Sequence, residues 1–175
     1  GVLLIDEAYV DFAENNCTQL VKVFDNVIIL RSMSKGYSLA GVRFGYAIAQ
    51  PSLIEGLLKL KDSYNADAVA IAAATAAVKD QQYFKENVEK IKRERKRLTQ
   101  QLRTLGFNVP NSFSNFVFAE NTKRNACEIF EKLVQRKIYV RYWNQPGIDN
   151  KLRISVGTPE QNDKLLSALK EILSE

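Results

Sequence analysis

Strand-length apolar runs and helical periodicities succeed one another along this chain of 175 residues. Three runs near the start, VLLIDE, NVIILRS and VRFGYAIA, are short, apolar and rich in β-branched residues, and they predict strands of a parallel or mixed sheet. LLID and VIILRS each end on a polar group. That pattern predicts buried strands that deliver Asp6 and Ser32 to a carboxyl-end crevice, where ligands of open α/β sheets bind. Pro51 and Ser52 open a helical stretch, SLIEGLLKLK, which Tyr64 to Asp67 interrupt before the alanine-rich VAIAAATAAV. Alanine favours helix and permits close packing, so this second piece predicts a buried helix. From Tyr83 to Leu105, Phe84, Val88, Ile91, Leu98, Leu102 and Leu105 recur at helical spacing with one seven-residue gap, predicting a long amphipathic helix ended by Gly106.

Beyond Gly106 the pattern changes to a smaller α/β unit. FVFAE, IYVRY and LRISVG predict strands, and ACEIFEKLVQR predicts a helix. Thr158, Pro159 and Gln161 predict the start of a last helix: threonine caps, proline fits the first turn and glutamine closes a capping box. The chain begins on Gly1 directly before a strand, so it reads as part of a longer polypeptide whose sheet continues elsewhere.

Composition removes several chemistries. The chain has no histidine, which excludes Ser-His-Asp and Cys-His catalysis and every histidine-containing metal site. Cys17 and Cys127 have neither CxxC nor disulfide-framework spacing, so no metal is expected. Acid–base work falls to lysine, carboxylate, tyrosine or a cofactor. No apolar run approaches the ~20 residues of a membrane span, and no signal-peptide layout opens the chain, so a cytoplasmic protein is the default expectation. The net charge is +5, and much of the basic density lies in EKIKRERKR. There Glu89 and Arg93, like Lys90 and Glu94, stand at i,i+4, which suits a solvated helix face better than a nucleic-acid surface.

Two segments carry the candidate chemistry: LLIDEAY, with Asp6 and Tyr9, and SMSKGYSLAGVRFGY, with Ser32, Ser34, Lys35 and Arg43. Together they resemble the active-site half of an enzyme that uses pyridoxal phosphate. Such a cofactor needs a lysine amine for its aldehyde, a carboxylate for its pyridine nitrogen, and hydroxyl and guanidinium donors for its phosphate.

DEAYVDF, the S-x-SK-x-x-x-LAG-x-R-x-GY element and, downstream, LRISVGT resemble the fold-type-I aminotransferases, and among them the histidinol-phosphate aminotransferase family. The resemblance runs across essentially the whole chain and matches the C-terminal half of that family. It implies an α/β fold in which residues 1–80 form part of the large-domain sheet, 81–105 a linking helix and 106–175 the small domain. It implies that Lys35 carries the cofactor imine, Asp6 pairs with the pyridinium nitrogen and Tyr9 donates to the phenolic oxygen. Ser32, Ser34 and Arg43 would hold the cofactor phosphate. Arg153 would grip the substrate α-carboxylate, Arg141 would face the substrate phosphate, and Asn115, with Ser112, would approach the substrate. Tyr142 and Trp143 beside Arg141, and the short QPGIDNK connection, depart from the family.

The implied activity is transamination of L-histidinol phosphate with 2-oxoglutarate, with small-molecule amino donors and 2-oxo acids as partners. The parent enzyme would be a homodimer, with Tyr64 and Asn65 near its interface. An aromatic aminotransferase, a phospho-amino-acid decarboxylase and a non-catalytic fragment stand as alternatives.

Overall fold

The computed structural model describes residues 1–175, and the chain divides into two compact units, Gly1–Val88 and Glu89–Glu175. In the first unit, strands β1 (Leu3–Asp6), β2 (Val27–Ser32) and β3 (Gly45–Ala49) form a mixed sheet in the order β1-β2-β3. A short helix α1 (Leu20–Val23) lies between β1 and β2. β1 and β2 run parallel, with Asp6 opposite Leu30, and β2 and β3 run antiparallel, with Ser32 opposite Gly45. Gly45 has a local reason to lack a side chain: a Cβ there would meet the Arg31 carbonyl oxygen at 2.7 Å.

Burial corrects part of the sequence reading. β2 is the buried strand, with Val27, Ile28 and Ile29 almost wholly covered, whereas Leu3 and Leu4 of the edge strand β1 are more than half exposed. An apolar run reports what a strand can bury; the number of neighbouring elements decides what it does bury. Arg43 does not lie in a strand. It closes a 3₁₀ turn over Ala40–Val42 in the left-handed region, at φ 58°, and β3 starts two residues later.

Helices α2 (Pro51–Leu60) and α3 (Ala68–Lys79) follow. Asp67 caps α3 by accepting the Ala70 N–H at 2.8 Å. The alanine-rich helix is buried only along Ala70 and Ala74, while Val69, Ile71 and Val78 are exposed. α4 (Gln81–Thr104) crosses from the first unit into the second, and Gly106 follows it at φ 84°, a stop that glycine adopts without a Cβ penalty.

The second unit holds a four-stranded antiparallel sheet in the order β4-β5-β7-β6, made of β4 (Phe107–Asn108), β5 (Phe116–Asn121), β6 (Arg141–Tyr142) and β7 (Lys151–Ser155). Helix α5 (Ala126–Gln135) follows β5, and α6 (Pro159–Ser174) ends the chain. Leu98 and Leu102 of α4, Val117, Leu152 and Ile154 of the sheet, Leu133 of α5 and Leu169 of α6 meet in one buried core. Thr158 and Gln161 make the expected capping box. β4 escaped the sequence reading because two residues carry no periodicity, and IYVRY contributes only its last two residues to a ladder.

The seven-residue gap in the α4 pattern has a structural content. Glu94 and Arg95 sit where apolar residues were due. Glu94 accepts from Arg97 and from Asn162, and Arg95 donates to the Ser114 carbonyl at 2.6 Å. The ion pairs of this helix run at i,i+3, Lys92 with Glu89 and Arg97 with Glu94.

Candidate active site

Parallel pairing brings the carboxyl ends of β1 and β2 to the same edge of the sheet, with Asp6 ending one strand and Ser32 the other. Asp6 Oδ1 accepts the Ala8 N–H at 2.9 Å, which turns the chain toward Tyr9. On the other strand, Ser32 Oγ accepts the Ser34 N–H at 3.1 Å, and the Lys35 carbonyl accepts the Ser38 N–H at 3.2 Å. The turn is fastened again where Met33 donates to the Phe44 carbonyl and Leu39 donates to the Met33 carbonyl. Lys35 Nζ then lies 5.2 Å from the centroid of the Tyr9 ring, a cation–π approach that joins the two loops.

Arg43 is exposed, with Nη1 donating to the Ala40 carbonyl at 2.9 Å. Asp6, Tyr9, Ser32, Ser34, Lys35 and Arg43 all belong to the first unit. Tyr64 and Asn65 are exposed between α2 and α3.

A second constellation occupies the sheet of the other unit. Arg141 and Arg153 are direct cross-strand partners on β6 and β7. The Arg153 guanidinium carbon lies 5.1 Å from the Phe116 ring centroid and 5.3 Å from that of Trp143, and Arg141 lies 5.2 Å from Trp143. Like charges placed opposite each other destabilise a sheet. The Arg153 Nε is buried and has no hydrogen-bond partner. A buried donor without an acceptor is costly, so this arrangement is suited to an incoming anion. Asn115 contributes its carbonyl to the Val156 N–H at 2.9 Å, just before β5. Ser112 Oγ accepts the Ser114 N–H and donates to the Phe116 carbonyl at 2.5 Å, so its hydroxyl is engaged in building the turn.

Several residues around these groups escaped the sequence reading. Glu7, which is buried, and the half-buried Arg31, direct neighbours of Asp6 and Ser32, form an ion pair at 2.8 Å. Trp143, marked only as a departure from the family pattern, supplies an aromatic face to both arginines. The glycine of LRISVGT is held by the helix that follows: Asn162 accepts the Gly157 N–H at 3.0 Å, and a Cβ on Gly157 would meet Gln161 Oε1 at 2.8 Å. No local sequence signal reports which polar side chains will be covered.

The class I and II aminotransferase family matches residues 1–169. The chain belongs to that family. A histidinol-phosphate aminotransferase of Trichormus variabilis is 50% identical to this chain over 173 residues, covering 99% of the chain and 49% of the relative. One from Nostoc sp. is 51% identical, with the same 99% and 49% coverage. The chain therefore spans about half the length of the curated relatives it matches.

Among solved structures, the histidinol-phosphate aminotransferase of Clostridium acetobutylicum superposes with a TM-score of 0.91 at 29% identity, covering 99% of this chain and 54% of its own. That of Sinorhizobium meliloti, solved in complex with pyridoxal-5'-phosphate, gives 0.89 at 29% identity, covering 99% and 49%. The chain thus has the fold-type-I α/β architecture, and its two sheets correspond to part of that fold. No helix in it is long and apolar enough to cross a membrane.

Proposed function

We propose that this chain carries one wall of a pyridoxal-phosphate site, and that the whole protein transaminates L-histidinol phosphate with 2-oxoglutarate in histidine biosynthesis. The observation that supports the reading is that Asp6 and Ser32 end two parallel strands on the same side of the sheet, while Lys35, three residues on, lies with its Nζ 5.2 Å from the Tyr9 ring centroid. The donor set fits the cofactor: one carboxylate, one amine, one phenol, two hydroxyls and a guanidinium match a pyridine nitrogen, an aldehyde, a phenolic oxygen and a phosphate. When bound, that group supplies an electron sink for the substrate α-carbon.

The chain's own residues do the rest. Lys35 Nζ would hold the cofactor's aldehyde, and its amine, when free, would move a proton at the substrate α-carbon. Asp6 would keep its partner nitrogen protonated. Tyr9, whose ring centroid lies 5.2 Å from Lys35 Nζ, would donate to the phenolic oxygen. Ser32 and Ser34 would donate hydrogen bonds to the phosphate, and Arg43 would supply its counter-charge. In the second unit, Arg153 takes an α-carboxylate and Arg141 a phosphate or distal carboxylate, with Asn115 beside the substrate. The orphaned Arg153 Nε supports an anionic ligand there. A homodimeric, cytoplasmic enzyme completes the reading for the whole protein.

The test is direct. Pyridoxal phosphate added to the purified protein should produce a visible absorption band that Lys35→Ala abolishes. Asp6→Asn should cost far more rate than cofactor affinity. In a donor and acceptor screen, Arg141→Ala should lose phosphorylated donors selectively. Uniform indifference to that substitution would sink the substrate assignment, in favour of an aromatic aminotransferase.

A further inference from the structure

The two strand ends of the candidate site are joined by a covered polar network. Glu7 follows Asp6 in sequence and Arg31 precedes Ser32. Glu7 is 7% exposed; its Oε2 accepts Arg31 Nε at 3.0 Å and Nη2 at 2.8 Å, and its Oε1 accepts the Cys17 N–H at 2.5 Å. Arg31 also donates to Thr18 Oγ1 at 2.9 Å. Asp11, on the 3₁₀ turn after Tyr9, feels the Arg31 charge, and its carboxylate lies against Gly36. Asp11 and Phe84 fill the space that a Cβ on Gly36 would need, and Tyr37 stacks on Phe84 with centroids 4.2 Å apart.

Burying an ion pair contributes little net stability, because desolvation offsets the attraction. Burial also raises the Asp11 pKa, so that carboxylate is held at a cost. The arrangement has a geometric consequence instead. A forked guanidinium takes carboxylates in defined directions, so the loop holding Asp6 and Tyr9 is keyed to the turn holding Ser32, Ser34 and Lys35.

We propose that Glu7, Arg31 and Asp11 are positioning residues, which lock the Asp6–Tyr9 loop against the Ser32–Gly36 turn so that the carboxylate and the amine are presented in one register. The proposal rests on the pyridoxal-phosphate reading of this edge.

The experiment compares the wild-type whole protein with its Glu7→Gln and Asp11→Asn variants and the double variant Glu7→Gln/Arg31→Met. Thermal melting and pyridoxal-phosphate affinity are measured on each, with amide hydrogen exchange in the cofactor-free protein. Glu7→Gln and Asp11→Asn should weaken cofactor retention about tenfold or more. The double variant, which removes the Glu7–Arg31 pair together and leaves Asp11 free to take up a proton, should regain most of the melting temperature of the wild type in mild acid while its cofactor retention stays weak. Asp11→Asn should speed exchange across Ser34–Tyr37 about tenfold without lowering the melting temperature.

Retention that recovers together with melting in the double variant overturns the proposal and leaves the pair a structural clamp. So do single variants that retain the cofactor as the wild type does, or unchanged exchange in Asp11→Asn. If Glu7→Gln fails to fold, half-buried Asp11 carries the test. A wild-type whole protein that shows no cofactor band overturns the underlying reading, and the exchange measurement still decides whether the network orders the turn.

Discussion

Arg141 stands directly opposite Arg153 across the β6–β7 ladder, and Trp143 lies 5.2 and 5.3 Å from their guanidinium carbons. Two cations on facing strands repel each other, and one has a buried unpaired donor. An anion between them would relieve both costs. Inorganic phosphate should therefore raise the melting temperature of the wild-type protein, by an amount corresponding to about 2.7 kcal/mol at one hundred times its dissociation constant. Arg141→Ala and Arg153→Ala should each lose most of that gain. Equal phosphate responses in all three proteins would show that the pair is not an anion site.

The pH dependence of stability should report on Asp11. Burial raises its pKa above the usual 3.8, with the Arg31 charge and the Gly36 N–H opposing in part. A carboxyl with a raised folded pKa favours folding fully below its unfolded value and loses that contribution as pH rises through the folded value. Asp11→Asn removes this loss. Melting temperatures across the acidic to neutral range should show the variant gaining on the wild type as pH rises, and a constant difference would contradict the assignment.

Glu94 should behave in the opposite sense. Hydrogen bonding from Arg97 lowers its pKa below 4.5, with a further hydrogen bond from Asn162. That stabilisation is present above the unfolded value and is lost as pH falls through the folded one. Glu94→Gln should be less stable than the wild type at neutral pH, and the two melting curves should converge in acid.

Gly36→Ala tests the packing under the lysine turn. The added Cβ would meet the Asp11 carboxylate and the Phe84 ring. Overpacking of this kind costs about 1–3 kcal/mol, and urea denaturation should resolve it. Gly41→Ala in the same segment has nothing within 4 Å of the added atom and should leave packing undisturbed.

Much of the candidate site was legible because its residues are local in sequence and each ends a recognisable run. Asp6 closes an apolar strand, Ser32 closes another, and Lys35 follows within one turn. Strand direction then carries both to one sheet edge, which is why an apolar run with a polar terminus was informative. The Thr158 capping box was legible for the same reason, since its partners are three residues apart.

Residues that act across elements left no such signal. Nothing in the sequence singles out Glu7 until Arg31 is paired with it, and Trp143 stands only as a departure from the family until two strands bring both arginines to its ring. The exposed faces of β1 and α3 mark the same boundary. The amino-acid sequence by itself determined the order of the longer strands and helices, the Thr158 capping box and the chemical types at the ends of β1 and β2, because these follow from periodicity and short-range geometry. Only the tertiary structure decided which strand is covered, which charges are paired and which donor is left unsatisfied, because burial and pairing depend on residues distant in the chain.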